Sequence, residues 1–114
     1  MITIYHNNRC SKSRSGLEIV KNSGKEFKII NYLETIPNKA ELTNIINLLK
    51  INPIDLVRKN EAIWKENYKG KTLTNAEVID AMTTYPKLIE RPIVIKGDKA
   101  VIGRPPELIL DLIT

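Results

Sequence analysis

The sequence predicts an α/β fold: one four-stranded mixed sheet, assembled as βαβ and then ββα, with a helical insertion between the two halves. Three observations carry this. Residues 1–31 read as strand–helix–strand, residues 93–114 read as hairpin–helix, and the segment between them, about 38–90, is rich in helix-start signals.

Residues 1–5 alternate, with Ile2 and Ile4 on one face, as a half-buried strand does. The polar loop HNNRCSKSR follows, leading into a helix from about Ser11 to Ser23 that turns Leu17 and Val20 inward and stops at Gly24. Residues 26–31 (EFKIIN) form a second strand, so the opening is most simply a right-handed parallel βαβ unit. In the insertion, Asn38 and Glu41 have capping-box spacing, and Leu42, Ile45, Ile46 and Leu49 fall at i, i+3, i+4 and i+7. A short helix is expected from Pro53 toward Lys59. Thr74 and Glu77 form a second capping box, with Leu73 and Val78 placed as a hydrophobic staple; the helix they open carries Val78, Ile79 and Met82 and breaks at Pro86. Residues 93–96 (IVIK) and 99–103 (KAVIG) are strands joined by the two-residue turn Gly97-Asp98. Arg104-Pro105-Pro106-Glu107 opens the last helix, with Leu108, Ile109 and Leu112 as its apolar face. Joined into one sheet, these pieces make a thioredoxin-like plan in a single domain over residues 1–114. A fold of this kind hosts many activities, so function must come from a site.

Composition narrows the classes. Hydrophobic residues make up 42% and charged residues 27% of 114, the profile of a globular protein. No apolar run approaches the ~20 residues that cross a bilayer, and the N-terminus lacks the features of a signal peptide. A cytoplasmic location is the expectation, with no membrane partner. The net charge of +5 suits an anionic substrate. The basic residues are scattered and there is a single tryptophan, so nucleic acid is not the expected partner. The single cysteine, Cys10, excludes an internal disulfide and a thiolate zinc cluster. With a single histidine, His6, no metal site and no tightly bound cofactor are expected.

Cys10 stands after the first strand at the mouth of the first helix. The first N–H groups of a helix lack internal partners and, with the helix dipole, favour negative charge, so a thiolate there is stabilised and its pKa falls below the free value of ~8.5. The same donors suit a tetrahedral oxyanion. An isolated cysteine is more often an inert buried side chain. Here the flanks HNNR and SKSR are polar on both sides, which argues for a reactive thiol. Arg9 and Lys12 add positive charge, and Ser13 is placed to donate its hydroxyl to the sulfur. His6, read as part of the same loop, would favour the thiolate as imidazolium or orient the loop as a neutral ring.

The opening ITIYHNNRCSKSR resembles the active-site loop of the glutaredoxin-coupled arsenate reductases, and the resemblance continues through NYLET (31–35), LVRKN (56–60), ERPIV (90–94) and GRPPE (103–107). It covers essentially the whole chain in order. It implies that Cys10 is the nucleophile that forms a thiol–arsenate adduct, that glutathione is the co-substrate that attacks the adduct, and that glutaredoxin completes the cycle. By position it assigns the substrate arginines to Arg58, Arg91 and Arg104, and thiolate support to His6 and Ser13. It also implies a cis-proline before the third strand, which falls on Pro92. The assignment is chemically coherent: a thiolate attacking an anion needs cations, and guanidinium bonds two oxygens at once while staying charged. Arg91 and Arg104 each precede a proline, placing each in an extended or turn segment beside the terminal hairpin; Arg58 has the helical neighbour Lys59. Two other readings keep the fold. One is a glutathione-linked thiol reductase acting on a different substrate. The other is a regulator of the Spx type that binds RNA polymerase; many of those carry a second cysteine where this chain has Ser13.

Overall fold

The computed structural model describes Met1–Thr114 and divides into two compact units, one formed by 1–35 with 91–114 and the other by 36–90. The first unit holds β1 (Ile2–His6), α1 (Ser11–Asn22), β2 (Phe27–Asn31), β3 (Ile93–Lys96), β4 (Lys99–Ile102) and α5 (Glu107–Ile113). Its sheet has the order β2-β1-β3-β4. β1 pairs in parallel with β2 and antiparallel with β3, and β3 pairs antiparallel with β4. The mixed sheet is therefore the expected one, and the neighbours of β1 explain its apolar alternation. Ile4 sits between Ile29 and Val94 in register, and Ile2, Ile4, Val20, Val94, Ile109 and Ile113 form one buried cluster under α1 and α5. Gly97 takes the left-handed conformation (φ 62°) that the two-residue hairpin turn requires.

The second unit holds α2 (Lys39–Leu49), α3 (Ala62–Asn67) and α4 (Asn75–Thr84), with single 3-10 turns at Pro53–Leu56 and Pro86–Leu88. Both capping boxes close: Asn38 with Glu41, and Thr74 with Glu77. α2 and α4 pack together, burying Leu42, Ile45, Ile46, Val78, Ala81 and Met82, and Lys39 pairs with Asp80 at 2.5 Å.

Three local expectations are corrected. The helix expected from Pro53 stops at Leu56, because Val57 leaves it to bridge Ile89 while the Arg58 N–H bonds the Leu88 carbonyl at 2.7 Å. α3 has no counterpart in the expected elements. In α5 the helix begins at Glu107, which leaves Leu108 39% exposed and turns Ile109 and Ile113, one turn apart, into the core. No helix is long and apolar enough to cross a membrane.

Candidate active site

β1 ends on His6, whose ring is 2% exposed; this residue is the last of the strand rather than part of the loop. The chain then turns sharply. The Cys10 N–H bonds the Asn7 carbonyl at 3.1 Å, and the Arg9 N–H bonds Asn7 Oδ1 at 3.0 Å, an Asx-type turn. Arg14, one turn into α1, donates from Nη1 to the Asn8 carbonyl at 2.9 Å. The loop is thus tied at both ends, and Cys10 is delivered to the N-cap position of α1 in an extended conformation. Its carbonyl accepts the Arg14 N–H at 3.0 Å, while the first turn of α1 carries no acidic residue.

The terminal hairpin supplies the cations. Ile93 and Ile102 face each other in register, so Arg91, two residues before β3, and Arg104, two residues after β4, emerge side by side. Arg104 Nε donates to the Arg91 carbonyl at 2.8 Å, and its Nη2 lies 3.5 Å from Cys10 Sγ. The Arg91 guanidinium also acts on the sulfur, through hydrogen bonding and charge, to lower the thiol pKa. The Arg91-Pro92 bond is cis, as is Arg104-Pro105, which the sequence did not suggest. The approach of this segment to α1 depends on two missing side chains. A Cβ on Gly16 would lie 2.8 Å from Pro92 Cγ, and one on Gly103 would lie 2.9 Å from the same atom and 2.7 Å from Ile109 Cδ1.

Cys10 is half-buried. Burial pushes its thiol pKa up, but the Ser13 backbone N–H, the hydrogen bond and charge of Arg91 and the Lys12 backbone N–H outweigh that and hold it below the ordinary value. These helix N–H groups act on the sulfur without closing a formal capping bond from its side chain. Ser13 therefore serves through its main chain. Its hydroxyl, wholly buried, is engaged elsewhere: it accepts the Asn7 N–H at 3.0 Å and lies 2.7 Å from His6 Nδ1. This corrects the expected hydroxyl-to-sulfur bond.

His6 stands with Ser13, and the neutral ring that orients the loop is one of its two expected roles. Burial lowers its pKa; hydrogen bonds to Asn8 and Ser13 pull the other way, and Lys21 and Arg14 add to the lowering. Burial favours the neutral ring, and Nδ1 shares one hydrogen bond with the Ser13 hydroxyl whose donor is set by the ring's tautomer. His6 braces the loop through Ser13 instead of placing a charge at the thiol. Arg58 belongs to the second unit, where it pairs with Glu61 and, at 3.6 Å, with Glu90. Sequence reasoning missed Asn7 and Arg14. The Asn7 signal was present, since asparagine just ahead of a helix favours an Asx turn; the grip of Arg14 on Asn8 carries no local signature. No cluster of His, Cys, Asp and Glu residues is arranged to hold a metal ion.

A sulfur with a lowered pKa, at a helix mouth and beside two guanidinium groups, is an arrangement chemically suited to attack on an anion. A family model described as the ArsC family matches residues 5–112. The chain is 43% identical over 114 residues to the uncharacterized protein YfgD of Escherichia coli (strain K12), with 98% of this chain and 96% of that one covered. It is 40% identical over 114 residues to the arsenate reductase of Haemophilus influenzae, covering 98% of each. The solved structure of the arsenate reductase from Vibrio cholerae superposes with a TM-score of 0.92 at 41% identity, over 96% of this chain and 95% of that one. A match that runs nearly from end to end, on a fold with the same architecture, places the chain: it belongs to the ArsC family.

Proposed function

We propose that this protein reduces arsenate to arsenite through a Cys10 thiol–arsenate adduct, with glutathione and glutaredoxin as the electron donors. The observation that carries the reading is the sulfur itself: Cys10 Sγ, at the N-terminus of α1, meets Arg104 Nη2 at 3.5 Å and the Arg91 side chain. Arsenate is a tetrahedral anion, and its attack by a thiolate brings like charges together. The two guanidinium groups offset that repulsion, and such aimed donors contribute about 3–4 kcal/mol each to a transition state.

The electron count supports an outside thiol. Sγ attacks arsenic; the sulfur–arsenic bond forms, an arsenic–oxygen bond breaks, and the oxygen leaves as water once protonated. Reduction of arsenic(V) to arsenic(III) takes two electrons. Cys10 supplies one and the thiol of glutathione the other, as a sulfur–sulfur bond forms between them and arsenite departs. Glutaredoxin then takes the glutathione sulfur from the mixed disulfide and frees Cys10 as thiolate. With one cysteine in the chain, no internal thiol can take the place of glutathione. In this reading Arg58 is the third oxyanion ligand, with Glu61 and Glu90 as its competitors. The cytoplasm, where thiols are kept reduced, is the compartment it requires.

The test is steady-state arsenite release with arsenate, glutathione and glutaredoxin. The wild-type protein turns over, and Cys10→Ser does not while keeping its fold by circular dichroism. Residual activity in Cys10→Ser removes Cys10 as nucleophile. A second reading keeps the same thiol chemistry at Cys10 on a different substrate. Absence of glutathione-dependent arsenite release from the wild-type protein selects that reading.

A further inference from the structure

Beside the Cys10 loop lies a cleft of about 300 Å³ that the chemistry above does not use, walled by Asn8, Arg9, Asn31, Leu33 and Glu34, with His6 among the lining residues. Its position follows from the sheet. β1 and β2 run parallel with His6 opposite Asn31, so both strands leave the sheet at the same edge and their loops diverge there. A crevice at the carboxyl ends of parallel strands is where open α/β sheets bind ligands. Since the order is β2-β1-β3-β4, the cleft lies on the β2 side of the Cys10 loop, and Arg91 and Arg104 come from the β3 side. The cleft thus borders the loop that carries Cys10 on the side away from the arginines.

The lining is not that of a second anion site. Arg9 gives one positive charge and Glu34 one negative charge, and neither enters an ion pair within the chain. The carboxamides of Asn8 and Asn31 offer both donors and acceptors between them. Leu33, 39% exposed, is the apolar contact. The volume is at the small end of ligand sites, about 300–1,000 Å³. A phosphate or nucleotide would meet Glu34 unpaired. A short peptide with a free carboxylate and a free ammonium group meets every one of these features.

We propose that this cleft binds the peptide portion of the reducing thiol, a small zwitterionic peptide of the glutathione class, and so presents that thiol to Cys10 from the side opposite the arginines. The assignment rests on the reading that an outside thiol completes the reaction at Cys10, and it names where that thiol docks. The probe that separates the two is S-methylglutathione, which has the peptide but no free thiol and needs no arsenate. Titrated into the full-length protein, it should shift the amide resonances of Asn8, Asn31 and Glu34 saturably at millimolar concentration. Glu34→Lys, a change at an exposed position, should abolish those shifts and raise the KM for glutathione about tenfold, the worth of one charge-assisted contact, with the KM for arsenate unchanged. Resonances unmoved by S-methylglutathione, or a Glu34→Lys protein with unaltered KM for glutathione, overturn the proposal. Saturable S-methylglutathione shifts in a protein that releases no arsenite uphold the cleft and reject arsenate as the substrate.

Discussion

At Cys10 a penalty and a set of favourable interactions meet on one atom. Burial disfavours the thiolate, yet the Ser13 N–H, Arg91 and the Lys12 N–H hold the pKa low. Removing Arg91 takes away both a hydrogen bond and a charge. Arg91→Ala should therefore slow alkylation of Cys10 by iodoacetamide at pH 7 about tenfold and move the inflection of its pH profile toward the ordinary thiol value of ~8.5. Arg104→Ala, losing a 3.5 Å contact that is not among the main causes of the shift, should do the same to a smaller degree. A profile unchanged in both variants would separate the arginines from the sulfur. The depressed pKa also carries a sign for stability. The thiolate contributes stability that is fully present above the unfolded value of ~8.5 and is lost as pH falls through the folded value. His6 is a base with a depressed pKa, so protons bind the unfolded chain first. Stability should drop as pH falls below about 6.5, where the unfolded histidine takes a proton that the buried ring refuses. Urea midpoints at pH 7 and pH 5.5 check this: the wild-type protein should lose more between them than His6→Gln, and equal losses would show that His6 does not govern the change. That His6 and Ser13, seven residues apart, would meet was not legible from spacing, because the contact needs the strand to end and the helix to begin at a fixed angle.

Among elements, what could be read in advance was what is local. The two capping boxes lie within four residues each, and both form as spaced. The Gly97-Asp98 turn set the register of the hairpin, and that register brings Arg91 beside Arg104. The elements that escaped prediction depend on distant partners. α3 spans six residues and starts at Glu61, which makes no capping bond from its side chain, so no local signal marks it; Trp64 is buried and stacks on Tyr68 with ring centroids 5.1 Å apart. The 3-10 turn at Pro53–Leu56 ends where Ile89 offers Val57 a bridge, a pairing across thirty-odd residues that no pattern announces. Arg58 is the same case, since Glu61 is near in sequence but Glu90 arrives only through that bridge. In the first unit Gly103 packs tightly against Pro92 and Ile109. Gly103→Ala would press a methyl group 2.9 Å from the proline ring and 2.7 Å from Ile109 Cδ1, and the proline ring cannot rotate away. It should cost about 1–3 kcal/mol, read as a lower urea midpoint with an unchanged slope, and slow Cys10 alkylation because Arg91 is displaced with its neighbour. An unchanged midpoint would mean that Ile109 relaxes to absorb the methyl group.

For the molecule as a whole, the decisive constraint is that it carries one cysteine, whereas the proposed reduction takes two electrons. Proteins with a second thiol can close an internal disulfide; this chain has only Cys10, half-buried, with its sulfur engaged by two arginines. Its oxidised product must be a bond to another molecule. Which molecule follows from access and charge. A second copy of the chain brings a net charge of +5 and another pair of guanidinium groups toward the same sulfur, so a disulfide-linked dimer is electrostatically opposed. A small zwitterionic thiol brings neither obstacle, and its carboxylate meets a basic surface. Exposure of the reduced protein to oxidised glutathione at neutral pH should therefore yield one glutathionyl group per chain by mass spectrometry, with little covalent dimer. Cys10→Ser should yield none, and Arg91→Ala should react about tenfold more slowly, because the attacking species is the thiolate that Arg91 stabilises. A covalent dimer as the main product would overturn this account of the sulfur's surroundings, since it would require two strongly basic faces to approach each other more readily than a small peptide approaches one.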